Sequence, residues 1–264
     1  MSKETPQGQP HPQGEIVEHK IQNRFMKIEF SSVRHRLVAN LYLPDNSSRD
    51  QTPGVFFIHG GGPHGKSKVK NLQRYLCDNG FGSFAYDSSG FGESGGVREE
   101  ETLESRLEDA ERGFDVFQQY FDPDNSSVVG MSMGADIAIN LTGKKNIHNL
   151  LLLAPAAYPE EARTEPLQLG FTRRIRTDKE SWQDAPVFSR LQEYSGSVLI
   201  MYGENDRIIP GRMRKKFRGI IENKGEFLVL SNASHNFLRP HTDLEVQAEQ
   251  VAFSEIARFL SSSL

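Results

Sequence analysis

The segment Ser127-Val128-Val129-Gly130-Met131-Ser132-Met133-Gly134-Ala135-Asp136-Ile137-Ala138-Ile139 passes from a short apolar strand pattern into a helical one, with Gly-x-Ser-x-Gly at the junction. A serine on so sharp a strand-to-helix turn points its hydroxyl away from the sheet. Glycines two residues to either side keep the tight turn free of Cβ clashes. The helix that follows supplies the positive end of its dipole and a free N–H on Met133 for a developing oxyanion. Ser132 is therefore the candidate nucleophile and Met133 the first candidate oxyanion donor.

Outward from this turn, short continuous apolar runs alternate with longer helical patterns. The runs are Val55–Ile58, Gly82–Tyr86, Ser127–Val129, Leu150–Ala154, Val198–Tyr202 and Phe227–Leu230. Helical patterns lie near Lys68–Asp78, Glu99–Tyr120, Met133–Leu141, Arg212–Glu222 and Asp243–Leu260. Strands buried on both faces and separated by helices predict an α/β fold with a mostly parallel sheet. Before them come two β-like stretches, Ile16–Ile21 and then Phe25–Phe30 continuing into Leu37–Leu43. The alternation of Leu37, Ala39, Leu41 and Leu43 fits an antiparallel start to the sheet. Residues 1–14, rich in Pro, Gln and Gly, read as a disordered tail, leaving 15–264 as one domain. Between Tyr158 and Ser195 no strand is evident, and scattered large apolar residues predict a small cap insertion over the sheet edge.

Three further loops carry chemistry. His59-Gly60-Gly61-Gly62-Pro63 closes the run Val55–Ile58, and glycine lets main-chain N–H groups approach the serine. Gly61 is the second candidate oxyanion donor, with Gly62 after it, and His59 is read as holding the loop. Glu204-Asn205-Asp206 follows the run Val198–Tyr202, where an acid can orient a histidine. Asp206 is favoured there over Glu204. His235 lies just past the run Phe227–Leu230 and is the candidate general base. With eight histidines in the chain, it is selected by position, because Ser132, Asp206, His235 is the triad order of enzymes with this strand–serine–helix turn.

Composition narrows the partners. A net charge of -4 over 264 residues offers no concentrated positive face for nucleic acid. A single cysteine, Cys77, excludes an intrachain disulfide and a cysteine-based metal site. No stretch has the length of a membrane span, and the first residues lack the apolar core of a signal peptide, so a cytoplasmic location is expected. Asn-x-Ser/Thr matches such as Asn125 and Asn232 are accordingly read as chance. The basic runs Arg173-Arg174-Ile175-Arg176 and Arg212–Arg218 read as solvated faces paired with nearby acids, and Glu99–Glu101 as favouring the start of the helix after them.

On the turn at Ser132, the glycine loop at His59 and the order of the three triad candidates, the chain resembles the α/β-hydrolase superfamily from about Glu15 to Leu264. Tyr86-Asp87-Ser88-Ser89-Gly90-Phe91-Gly92-Glu93-Ser94 also resembles a loop of that family, with Ser89 where an arginine is common and Asp87 bracing the loop. The resemblance implies an eight-stranded, mostly parallel sheet flanked by helices, no cofactor or metal, and hydrolysis through an acyl-enzyme. Segment lengths place the chain nearest to small carboxylesterases resembling feruloyl or cinnamoyl esterases. A serine nucleophile argues against haloalkane dehalogenases, epoxide hydrolases and dienelactone hydrolases. The expected substrate is a small-molecule ester or related acyl compound. An acyltransferase or thioesterase with the same triad, and a non-catalytic binding protein on the same fold, are the alternatives. The acyl chain, the alcohol and the oligomeric state are left open by these residues.

Overall fold

In a computed structural model, residues 16–22, 24–45, 47–49, 51–168, 171 and 180–263 are described. The tail read at residues 1–14 and the run Arg173–Arg176 lie outside the described residues.

Nine strands form one sheet: β1 (Ile16–Gln22), β2 (Phe25–Ser31), β3 (Arg36–Tyr42), β4 (Gly54–Ile58), β5 (Gly82–Asp87), β6 (Ser126–Met131), β7 (Asn149–Leu153), β8 (Ser197–Gly203) and β9 (Gly225–Leu230). Their spatial order is β1-β2-β3-β5-β4-β6-β7-β8-β9. The first three strands and the β3–β5 pair are antiparallel, and every later pair is parallel. The α/β-hydrolase fold holds, but the strand count is nine and not eight. The stretch Phe25–Leu43 is a hairpin and not one continuous strand. Ser31 pairs with Arg36, and between them the Ser32 N–H donates to the His35 carbonyl at 2.8 Å. The Ser32 hydroxyl accepts from the His35 N–H, so a side chain supplies turn chemistry where no Gly, Pro or Asn marks it.

Among the described residues six α-helices flank the sheet: α1 (Lys70–Asp78), α2 (Leu103–Phe117), α3 (Met133–Leu141), α4 (Val187–Glu193), α5 (Gly211–Ile221) and α6 (Asp243–Ser262). The helix predicted over 99–120 begins later, because Thr102 caps it. The Thr102 hydroxyl accepts from the Ser105 N–H, and the Ser105 hydroxyl accepts from the Thr102 N–H. Glu101 does not act through the dipole alone. Its buried carboxylate pairs with Arg34 at 2.6 Å and accepts from the Ser105 hydroxyl. Helices α1 and α6 meet through Tyr75 and Phe253, and α4 meets α5 through Phe188 and Phe217.

The segment 158–195, less residues 169, 170 and 172–179, packs its apolar side chains inward. Tyr158, Ala162, Trp182, Phe188 and Leu191 are all buried. Arg163 reaches across to Asp136 of α3 at 3.0 Å, anchoring the segment to the helix behind Ser132.

The core between the sheet and α2 is aromatic. Phe56 stacks on Phe84 at 5.9 Å and meets Phe114 edge-on at 5.5 Å, and Phe117 touches Phe56, Phe84, Phe114 and Phe121. Phe117 is fully buried, so its removal leaves a hole under the parallel strands. Phe117→Ala is expected to lower unfolding stability by about 3–5 kcal/mol in a denaturant titration.

Candidate active site

Parallel strands open a crevice at their carboxyl ends where the strand order reverses. That reversal falls at β4, which lies between β5 and β6. The loop after β4 starts with His59 and the turn after β6 holds Ser132, so both come to this crevice.

Ser132 has φ 52° and ψ -115°, a backbone state that costs an L residue roughly 1–3 kcal/mol. Its surroundings hold it there. The Ser132 N–H donates to the Leu153 carbonyl at 2.9 Å, and its own carbonyl accepts from the Ala135 and Ala156 N–H groups. A Cβ on Gly134 would lie 2.3 Å from the Ile58 carbonyl oxygen, and one on Gly130 would lie 2.6 Å from the Ala138 Cβ. Both glycines are set by the close approach of α3 to β4 and β6.

His235 lies in the loop after β9. Its Nε2 is 3.1 Å from Ser132 Oγ and its Nδ1 is 2.9 Å from Asp206 Oδ2. An ionised carboxylate only accepts, so Nδ1 carries the ring proton and Nε2 faces the hydroxyl as an acceptor. Asp206 is buried, and its other oxygen accepts from Ile208 and Ile209 N–H at 2.8 and 3.1 Å. Burial works to raise its pKa. The His235 hydrogen bond and charge, joined by the two N–H donors, outweigh burial and hold the carboxyl below its ordinary value. Glu204 takes another partner: its Oε2 accepts from the Asn232 N–H at 3.1 Å. The structure thus brings Ser132, His235 and Asp206 into one line.

The loops after β8 and β9 are stitched together. Glu204 N–H donates to Leu230 O and Asn205 N–H to Ala233 O, each at 2.9 Å. Arg214 of α5 donates to the Asp206 carbonyl at 2.9 Å and lies over the Tyr202 ring. This member of the basic run is therefore a brace for the acid's loop and not a solvated charge. Nothing local in the sequence marks it, because its partner comes eight residues earlier across a turn.

The glycine loop packs directly on the serine turn. A Cβ on Gly60 would lie 3.3 Å from the Ser132 Cβ, and one on Gly61 would lie 3.0 Å from the Met133 Cε. Met133 opens α3, where helix geometry leaves its N–H without an intrahelical acceptor. His59 is buried within the loop. The Ser88 N–H donates to its Nε2 at 3.0 Å, and its Nδ1 lies 2.7 Å from Gly60 O. Burial, with the Arg106 charge next, drives its pKa well down and keeps the ring neutral. Two arginines hold the loop's carbonyls: Arg106 donates to His59 O at 2.6 Å and Arg98 to Gly61 O at 2.8 Å. Each also lies against the Phe91 ring, at 5.0 and 5.4 Å from its centroid. With Ser89 where the family often has arginine, these two supply guanidinium contacts to the loop. Arg106 has a signal in the sequence, since it falls on the apolar stripe of Leu103, Leu107, Ala110 and Phe114.

An open cleft of about 530 Å³ lies over these groups, lined among others by Gly60, Gly61, Ser132, His235, Leu153 and Leu238. Among the described residues no cluster of His, Cys, Asp and Glu is placed to hold a metal ion, and no helix is long and apolar enough to cross a membrane.

The order in which strands, turn and loops meet is that of the α/β-hydrolase class of enzymes. Within it the chain belongs to the serine aminopeptidase S33 family of hydrolases (Hydrolase_4), matching it over residues 49–187, a little over half its length. A comparison with curated proteins found no match. Est1E of Butyrivibrio proteoclasticus, in a structure with ferulic acid bound, shares 22% identity at a TM-score of 0.68, over 89% of this chain and 99% of that one. An α/β serine hydrolase homologue from Coxiella burnetii shares 19% identity at a TM-score of 0.61, over 93% and 99%. The thioesterase domain of the curacin biosynthetic pathway shares 15% identity at a TM-score of 0.61, over 87% and 100%. These likenesses establish the fold.

The loop after β5 is anchored as its sequence implies. Asp87 accepts from the N–H groups of Lys66 and Glu93 at 2.7 and 3.0 Å, and from the Lys66 ammonium. Glu93 in turn accepts from Lys27 and from Lys66, and those two hydrogen bonds hold its pKa near about 2, below the usual 4.5. A depressed carboxyl contributes stability above about pH 4.5, and that contribution is lost as pH falls toward about 2. Glu93→Gln is therefore expected to lose less of its denaturant midpoint than the parent protein between ~pH 5 and ~pH 3.

Proposed function

We propose that this protein is a serine-dependent hydrolase of carboxylic esters, with Ser132 as nucleophile, His235 as general base and acid, and Asp206 as the group that orients the imidazole. The observation that carries the reading is the single line from the half-buried hydroxyl of a strained serine to a buried carboxylate through His235, at 3.1 and 2.9 Å.

His235 Nε2 takes the Ser132 proton as Oγ attacks the ester carbonyl, and the Asp206 carboxylate stabilises the imidazolium that forms. The N–H groups of Met133 and Gly61 receive the oxyanion, each worth about 3–4 kcal/mol where such donors have been removed. The proton on Nε2 then passes to the leaving alcohol. Water enters and loses its proton to the same nitrogen as it attacks the acyl carbon. The bond to Oγ breaks, Nε2 returns the proton to Oγ, and the acid is released.

The family's name describes peptide-end cleavage, and the cleft favours esters over that substrate. A free amino terminus needs an acidic counter-charge beside the nucleophile. Among the described residues lining the cleft there is no Asp or Glu, whereas Lys68 and Arg239 are present. Cationic walls repel an ammonium group at short range.

Purified protein with 4-nitrophenyl butyrate is expected to release nitrophenolate. Ser132→Ala and His235→Ala lower kcat by about 10⁴-fold or more. Asp206→Asn lowers it by about 10⁴-fold, through the wrong imidazole tautomer. Glu204→Gln stays within a few-fold of the parent. Full activity in Ser132→Ala, or loss in Glu204→Gln with retention in Asp206→Asn, contradicts the assignment.

A further inference from the structure

Lys68 stands at the mouth of the cleft without a carboxylate partner. Its ammonium donates to Asn236 Oδ1 at 2.8 Å, next to His235 in the chain, and lies 3.6 Å from where a Cβ on Gly62 would be. It therefore sits between the two loops that meet at Ser132, one residue from His235 on one side and one from Gly61 on the other. Arg239 lines the same cleft, and among the described residues neither cation is ion-paired. Lys66, two residues away in sequence, is by contrast paired with both Asp87 and Glu93.

Lys68 is half-buried and Arg239 exposed, and two like charges close enough to act on each other at one cleft are mutually unfavourable. Burial, and after it the Arg239 charge, holds the Lys68 ammonium below its ordinary pKa. Among the described residues no Asp or Glu lines the cleft itself. Glu249 lines the adjoining recess with Lys68, Lys70 and Arg239, but its own carboxyl is pushed up by burial and one of its oxygens has no partner. A bound anion satisfies both cations at once, while Leu153 and Leu238 cover the apolar part of the same molecule.

We propose that the cleft selects esters bearing an anionic group, a carboxylate or a phosphate, which seats between Lys68 and Arg239 while the ester carbonyl lies against Ser132. The proposal rests on the hydrolase reading above and names its substrate class. Position near both loops permits the anion to belong to either the acyl or the alcohol part.

The test compares kcat/KM for monomethyl glutarate against dimethyl glutarate, and for 4-acetoxybenzoate against its methyl ester by acetate release. A charge-assisted contact predicts a preference of about tenfold or more for the charged member of at least one pair. Added salt reduces that preference. Lys68→Met and Arg239→Met bring the ratio close to one, and Lys20→Met, on the distant strand β1, leaves it in place. Equal or better turnover of both neutral esters, or a ratio untouched by Lys68→Met, overturns the proposal. Calorimetric binding of the same pairs to Ser132→Ala separates the two failures. Selective binding without any turnover in the parent sinks the hydrolase reading and keeps the anion site. Turnover without selectivity sinks the anion site and keeps the hydrolase.

Discussion

The rest of the site is arranged around one unfavourable backbone conformation. Ser132 is held at positive φ where β6 becomes α3, and a residue in that state relaxes unless its neighbours prevent it. The prevention is steric and polar together. Gly130 and Gly134 let α3 press onto β4 and β6 so closely that no side chain fits between them, and the Leu153 carbonyl fixes the serine N–H. The same compression brings the start of α3 against the glycine loop after β4, where Gly61 meets the Met133 side chain. The proposed nucleophile and the proposed oxyanion donors thus depend on one packing contact.

Around that contact the remaining groups are positioned by loops that lack regular structure but not constraints. The acid's loop is fixed through Asp206 to Ile208 and Ile209, through Glu204 to Asn232, and through Arg214 to the Asp206 carbonyl. The glycine loop is fixed by Arg98 and Arg106, which hold its carbonyls and so orient the intervening N–H groups. Such preorganisation matters because donors already in place need not reorganise as charge develops. In both loops a guanidinium grips a backbone carbonyl, which leaves the acid and the amides free for the roles proposed for them.

Much of this was legible in the chain because parallel strands buried on both faces read as unbroken apolar runs, and Gly130–Gly134 sits where one such run turns into a helix. Helix starts were less legible. The cap at Thr102 depends on a serine three residues on, without the acidic partner that usually signals it. The hairpin between β2 and β3 was hidden because Ser32 makes its turn with a hydroxyl, in a stretch whose apolar alternation continues on both sides. Arg106 is marked only by its place on an apolar stripe, and the partners of Arg98, Arg106 and Arg214 cannot be assigned from spacing, since each acts on a carbonyl outside its own element. Position in the loop favours Asp206 over Glu204, and in the structure it is Asp206 that meets His235 while Glu204 accepts from the Asn232 N–H.

The central claim is that Ser132 is activated by His235 and not merely accessible from the cleft. Treatment with a fluorophosphonate, followed by mass spectrometry of peptides, measures that activation without assuming any substrate. The account predicts a covalent adduct on Ser132 in the parent protein that forms far more slowly in His235→Ala. No adduct on Ser132, or one that forms equally fast without the imidazole, contradicts it.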